Sequence, residues 1–97
     1  MKEILPAQLK SRLLEAKKPF LLDVRQPEEF AENHIEGAVL IPLGQLPARH
    51  GELDKSAEIV VNCKSGGRSA QAVAFLESQG FINVSNLVGG LSQWLQV

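Results

Sequence analysis

The only cysteine of the sequence, Cys63, is surrounded by residue types that could make a thiol reactive. It follows an apolar segment and precedes a short run of cations and glycines: Lys64, Ser65, Gly66, Gly67 and Arg68. Glycines let a backbone curl without side-chain clashes, and a curled loop that enters a helix directs several N–H groups at one point. These donors, the positive end of a helix and the nearby cations should all lower a thiol pKa. The pattern therefore predicts that Cys63 is a nucleophilic thiolate.

A lone cysteine is more often a small buried apolar residue than a nucleophile. That alternative does not explain why two glycines and two cations follow Cys63, so we favour a catalytic Cys63. Arg68 offers a planar fork that can bind an oxyanion, and it is the strongest candidate for contact with an anionic substrate. The other predicted substrate-binding residues belong to the same loop: Lys64, Ser65, Gly66, Gly67 and Ser69.

Asp23 and Arg25 form a second polar pair, which directly follows another apolar segment. They lie on the same predicted sheet edge as Cys63, so they could face the cleft and support catalysis. A strand-end ion pair or a cap on neighbouring loops is the favoured interpretation, with Glu28 or Glu29 as a further possible partner of Arg25.

The two histidines do not indicate a second site. His34 is interpreted as a packing or turn residue, and His50 as the solvated end of a helix. One cysteine and two distant histidines do not form a zinc site, and the sequence contains no nucleotide-binding motif. We therefore expect neither a metal nor a cofactor.

Predicted helices and strands alternate along the chain. Amphipathic spacing, prolines at helix starts and a terminal glycine predict helices over residues 6–17, 27–32, 43–50, 69–79 and a last one containing Leu91, Trp94 and Leu95. Short apolar runs predict strands over residues 20–24, 38–41, 58–62 and 82–88, with a marginal fifth at residues 3–5. This order predicts a three-layer α/β/α domain with a mostly parallel sheet of about five strands. Cys63 then lies at the carboxyl edge of the sheet, where such folds bind ligands.

Length and composition limit the other possibilities. The 97 residues suffice for a single domain, residues 1–97, and 44% apolar with 22% charged residues is typical of a globular chain. A net charge of −1 and 5% aromatic residues argue against nucleic-acid binding. The sequence contains neither an apolar run long enough to span a bilayer nor the pattern of a signal peptide. We therefore expect a soluble, cytoplasmic protein without membrane partners.

Four stretches of the sequence resemble the rhodanese-type sulfurtransferase family. Residues 61–69 are similar to its active-site loop, and residues 22–25, 29–30, 34–38 and 41–42 to its N-terminal signature. Gly80 and Phe81, followed by Val84 and Leu87, fit the segment after its active-site helix. Gly89 and Gly90 with Trp94 are similar to its C-terminal signature. The matches occur in the family's order and extend over nearly the whole chain.

The resemblance implies a five-stranded parallel sheet and a double displacement through a persulfide on Cys63. The thiolate would take the outer sulfur of thiosulfate or another sulfane donor and release sulfite. Cyanide, a thiol or a protein thiocarboxylate precursor would then accept the sulfur. Lys64 and Ser65 occupy positions at which the family varies, so they would tune the choice of donor or acceptor.

Three alternatives remain. Cysteine phosphatases and arsenate reductases on related folds use a Cys-x5-Arg loop, whereas four residues separate Cys63 from Arg68 here, which suits a sulfur atom better than a phosphate group. Some relatives of this fold lose the cysteine and act as docking modules, but Cys63 is retained. A relay domain could instead receive sulfur from a protein donor and pass it to a protein acceptor in cofactor or tRNA thiolation, since the loop also resembles rhodanese domains appended to adenylating enzymes.

Overall fold

A computed structural model describes residues 1–96 of the chain. The strands are β1 (Lys2–Ile4), β2 (Phe20–Asp23), β3 (Val39–Leu40), β4 (Ile59–Asn62) and β5 (Val84–Leu87). The helices are α1 (Pro6–Arg12), α2 (Pro27–Glu32), α3 (Leu46–Arg49), α4 (Gly67–Ser78) and α5 (Gly90–Trp94). Two 3-10 turns, Leu43–Gln45 and His50–Glu52, flank α3.

All five strands form one parallel sheet in the order β1-β5-β4-β2-β3. The prediction of about five parallel strands is confirmed, and the marginal first strand is present as β1. Strand β4 lies at the centre, and its last residue, Asn62, is opposite Asp23 at the end of β2. The segments that follow these two strands therefore emerge side by side at the carboxyl edge of the sheet.

Side chains on the two faces of the sheet build two separate cores, as the alternation of a strand requires. One core contains Leu22 and Val61 from the sheet and, from the helices, Leu46 of α3 with Val73 and Leu76 of α4. The other core contains mainly residues of the opposite face with α1 and α5: Leu9, Leu21, Ile35, Val60, Leu87 and Leu91. The three-layer α/β/α architecture is thus confirmed.

Several element boundaries differ from the predictions. Helix α1 ends at Arg12, not at residue 17, because residues after it reverse direction through i to i+3 hydrogen bonds such as Glu15 N–H to the Arg12 carbonyl. Ala16, inside the predicted helix, is exposed as a result. The predicted helix over residues 43–50 is divided, and Pro47 is tolerated because it lies in the first turn of α3.

Strands β2 and β4 are one residue shorter than predicted, β3 is two residues shorter and β5 three. Strand β3 is an edge strand that pairs only with β2, so its ladder is limited to Val39 and Leu40. Strand β5 begins at Val84, and Ile82 before it is 77% exposed. In residues 1–96, none of the helices combines the length and apolar character needed to cross a membrane.

Candidate active site

The loop between β4 and α4 wraps around the sulfur of Cys63. Gly66 has φ of +118°, a left-handed conformation that glycine adopts without strain, and it caps the amino end of α4. The turn brings the Gly66 N–H to 3.0 Å from Cys63 Sγ. Gly67 is different, because it lies in the first turn of α4 with open space where a Cβ would be. Only the first glycine of the pair is therefore required by the backbone.

Ser69 and Asn86 complete the surroundings of the thiol. Ser69 Oγ lies 3.3 Å from Cys63 Sγ and 2.5 Å from Asn86 Oδ1. Asn86 Nδ2 also donates to the Gly66 carbonyl at 3.2 Å. One buried amide thus contacts both residues that face the sulfur. Asn86 is not among the residues predicted from the sequence, although a polar residue inside the buried strand β5 is a signal for such a role.

Hydrogen bonding to the thiolate decides the pKa of Cys63. Burial is the largest single influence and raises the pKa, because the charged form loses hydration. The side chain of Ser69 and the backbone N–H groups of Ser69, Gly66 and Ser65 oppose it. Together these donors outweigh burial, so that the pKa lies below its ordinary value. The direction agrees with the prediction, and the influences that lower the pKa are the predicted N–H donors together with the Ser69 hydroxyl.

Arg68 lies at the site but is already engaged. Its guanidinium binds the carboxylate of Glu29 in α2 through two contacts of 2.7 and 3.0 Å. Glu29 also accepts the N–H of Gln26 at the start of α2. The hydrogen bonds from Arg68 and then Gln26 lower the pKa of Glu29 to about 2, and the same ion pair raises the pKa of Arg68. This partner of Arg68 was not predicted from the sequence.

Asp23 and Arg25 form the predicted strand-end ion pair. Arg25 Nη2 lies 2.9 Å from Asp23 Oδ2, and both side chains are buried. Arg25 also donates to the carbonyl of Asn33 at 2.6 Å, which ties the end of β2 to the end of α2. Neither Glu28 nor Glu29 is a hydrogen-bond partner of Arg25 within the described chain, since Glu29 binds Arg68 instead.

The first turn of α5 supports the loop from behind. Leu91 N–H donates to the Cys63 carbonyl at 2.9 Å, and Ser92 N–H to the Lys64 carbonyl at 3.0 Å. Gly90 lies so close that a Cβ there would be 2.6 Å from both carbonyl oxygens. The absence of a side chain at Gly90, the first residue of α5, therefore allows close contact with the loop that follows Cys63, a role not predicted from the sequence.

Lys64 and Ser65 are exposed, and Lys64 lines a pocket of about 190 Å³ beside the loop. Arg25, Glu29, Glu32, Asn33, Leu91, Ser92 and Leu95 also line this pocket.

His34 stacks on Phe30, and its Nδ1 lies 2.7 Å from the Phe30 carbonyl, as expected of a turn residue. A larger cavity of about 870 Å³ lies near the amino ends of β2 and β4, away from Cys63.

The comparisons with known proteins agree with this arrangement. The profile of the Rhodanese-like domain family matches residues 5–97. A sulfurtransferase from Allochromatium vinosum is 39% identical over 92 residues, covering 95% of this chain and 86% of the relative. The crystal structure of a rhodanese-like domain protein from Staphylococcus aureus is similar with a TM-score of 0.92 at 38% identity, covering 97% of this chain and 91% of that one. The chain belongs to the rhodanese-like sulfurtransferase family.

A longer relative contains a similar domain as one of its parts. The adenylyltransferase and sulfurtransferase uba4 of Ogataea parapolymorpha is 36% identical over 77 residues. The match covers 78% of this chain but only 20% of that protein. Domains of this kind therefore occur both alone and within larger proteins.

Proposed function

We propose that the protein transfers a sulfane sulfur through a persulfide on Cys63, with thiosulfate as one donor. The proposal is carried by the hydrogen-bond donors that surround the sulfur of Cys63. Gly66 N–H and Ser69 Oγ lie within 3.3 Å of Cys63 Sγ. Such donors favour the thiolate, which is the nucleophilic form of cysteine.

In the first step the Cys63 thiolate attacks the outer sulfur of thiosulfate. A sulfur–sulfur bond forms at Cys63, the sulfur–sulfur bond of thiosulfate breaks, and sulfite leaves with the bonding electrons. In the second step cyanide or a thiolate attacks the outer sulfur of the persulfide and restores the Cys63 thiolate. Neither step needs a separate base once the pKa of the thiol is depressed.

The loop residues stabilise the charged states of this cycle. The N–H groups of Ser65, Gly66 and Ser69 lower the pKa of the thiol, and the same groups are available to the persulfide anion. Lys64 supplies positive charge near an anionic donor, Arg68 adds what its pairing with Glu29 leaves, and Asp23 with Arg25 holds the adjacent strand end. We assign these two buried residues a supporting role.

The test is the intact mass of the protein after incubation with thiosulfate and again after cyanide. We expect a gain of one sulfur atom on the wild type, its loss with cyanide, and release of thiocyanate. Cys63→Ser is the matched control, because it keeps the shape of the loop and removes the nucleophile. Absence of the adduct on a wild-type thiol that alkylates readily would contradict thiosulfate as a donor.

A relay between proteins is the second candidate function. It is favoured by the similarity to one part of an adenylyltransferase and sulfurtransferase, a protein in which such a domain is joined to a further activity. The partner would then be a protein persulfide as donor or a protein acceptor. Loading of Cys63 by a persulfidated protein, but not by thiosulfate, would favour the relay.

A further inference from the structure

Most of the positive charge around Cys63 is neutralised within the structure. Arg68 is paired with Glu29, and Arg25 with Asp23. Lys64 is exposed, and among residues 1–96 it has no carboxylate within ion-pair distance. Of the three cations at the site, therefore, one is available to balance the charge of a ligand.

The pairing of Arg68 uses the N–H groups that an oxyanion would need. Its two terminal nitrogens each contact one oxygen of Glu29, and bidentate recognition of an oxyanion requires the same fork. Glu29 is ionised at neutral pH, because its pKa is about 2. An anionic donor must displace this carboxylate or bind beside it, and in both cases Glu29 reduces the attraction of Arg68.

The pocket beside the loop has no excess of positive charge either. Arg25 and Lys64 line it together with Glu29 and Glu32, and Leu95 adds an exposed apolar side chain. Its volume of about 190 Å³ admits a small organic group. Such surroundings favour a ligand with low negative charge and some apolar surface over a compact dianion.

We propose that Glu29 is a specificity-determining residue that selects against dianionic thiosulfate and in favour of organic hydropersulfides, R–S–SH. The inference rests on the proposed persulfide cycle. The Cys63 thiolate attacks the outer sulfur of R–S–SH, a sulfur–sulfur bond forms at Cys63, and the sulfur–sulfur bond of the donor breaks. The leaving thiolate takes the proton, which yields R–SH and the Cys63 persulfide anion without an oxidant or reductant.

The test compares Glu29→Gln with Glu28→Gln. The amide oxygen of the first variant can still accept the Gln26 N–H, so the start of α2 is kept while Arg68 loses its ionic partner. Glu28 is an exposed neighbour on α2, and in the described chain it forms no ion pair. Its substitution makes the same change in net charge without releasing Arg68.

The measurement is the rate at which Cys63 gains one sulfur, followed by intact mass at increasing donor concentration. The donors are thiosulfate and the hydropersulfide of 2-mercaptoethanol. For wild type we expect the hydropersulfide to have the lower half-saturating concentration. For Glu29→Gln we expect the half-saturating concentration of thiosulfate to fall by roughly threefold or more, because the substitution frees the charge of a partly exposed ion pair. The maximal rate and the hydropersulfide value should stay within about twofold of wild type.

Other results would overturn the inference. If thiosulfate loads Glu29→Gln no better than wild type, or if both donors lose affinity equally, Glu29 only supports the loop. A wild type that prefers thiosulfate contradicts the selectivity without any variant. If neither donor adds sulfur to wild type, the proposed persulfide cycle fails together with the inference, so the two failures are distinguishable.

Discussion

The reactivity of Cys63 depends on where the hydroxyl proton of Ser69 points. This single proton has three acceptors within reach, namely Cys63 Sγ, Asn86 Oδ1 and the Gly66 carbonyl. A thiolate is a charged acceptor and strengthens the hydrogen bond that it receives. Ionisation of Cys63 is therefore coupled to the Ser69 hydroxyl and, through it, to Asn86.

We expect Asn86→Asp to raise the pKa of Cys63 by about one unit or more. The new carboxylate would compete for the Ser69 proton, add a negative charge beside the thiolate, and no longer donate to the Gly66 carbonyl. All three changes disfavour the thiolate. The pH dependence of the rate of alkylation by iodoacetamide measures the effect.

Asn83→Asp is the matched control for this substitution. Asn83 precedes β5 at the opposite edge of the sheet and contacts the side chain of Lys2. The same change of charge there should leave the alkylation profile of Cys63 unaltered. A profile that is also unaltered in Asn86→Asp would show that Asn86 does not control the donors at the sulfur.

At the scale of elements, three helices hold the loop that follows Cys63. The amino end of α4 supplies donors to the sulfur, the first turn of α5 binds the carbonyls of Cys63 and Lys64, and α2 binds Arg68 through Glu29. The loop is therefore shaped by contacts on both of its sides. Close approach of α5 is possible because Gly90 has no side chain.

We expect Gly90→Ala to damage both stability and reactivity. A Cβ would lie 2.6 Å from the Cys63 and Lys64 carbonyl oxygens, and φ is +60° at this residue. The loop must shift to relieve the clash, so alkylation of Cys63 should slow. The free energy of unfolding in urea should fall by about 1–3 kcal/mol.

Gly67→Ala provides the contrast in the same loop. A Cβ at Gly67 meets nothing within 4 Å, and the residue lies in the first turn of α4. Reduced freedom of the unfolded chain should therefore stabilise the protein by about 0.5–1 kcal/mol. If both alanines had equal effects on the alkylation rate, contact with α5 would not be what shapes the loop.

In the whole molecule, ion pairs between distant parts of the chain add to the packing of the two apolar cores. Glu29 of α2 binds Arg68 of α4, and Glu58 before β4 binds Arg12 of α1. The hydrogen bond from its arginine is the largest influence on each carboxyl and lowers its pKa. Burial raises the pKa, but by less, so that both values lie below the ordinary one. These groups bind fewer protons in the folded chain than in the unfolded one.

Stability should therefore fall in acid. The pKa of Glu29 is about 2 when folded and near 4.5 when exposed, so its contribution is complete above pH 4.5 and is lost as the pH falls toward 2. Urea unfolding between about pH 7 and 2 measures this. Removal of one such carboxyl in Glu58→Gln should make the acid loss shallower. A urea midpoint that rises as the pH falls would contradict the predicted loss of stability in acid.

Sequence alone determined the type of fold and the place of the thiol. The first three residues of β2 and of β4 are apolar, as expected of strands inside a parallel sheet, and helix starts and ends depend on local proline and glycine, so these signals lie within a few residues. The position of Cys63 between a buried strand and a glycine loop is equally local. The three-layer parallel sheet and the lowered pKa of the thiol followed from such patterns.

Tertiary structure decided which residues control the site. Arg68 meets Glu29 across 39 positions of sequence, and Ser69 meets Asn86 across 17. Gly90 reaches the loop only because β5 lies next to β4 in the sheet. Strand order is selected by the packing of whole faces and not by neighbouring residues, so the partner of each charge and donor becomes known only once those faces are packed.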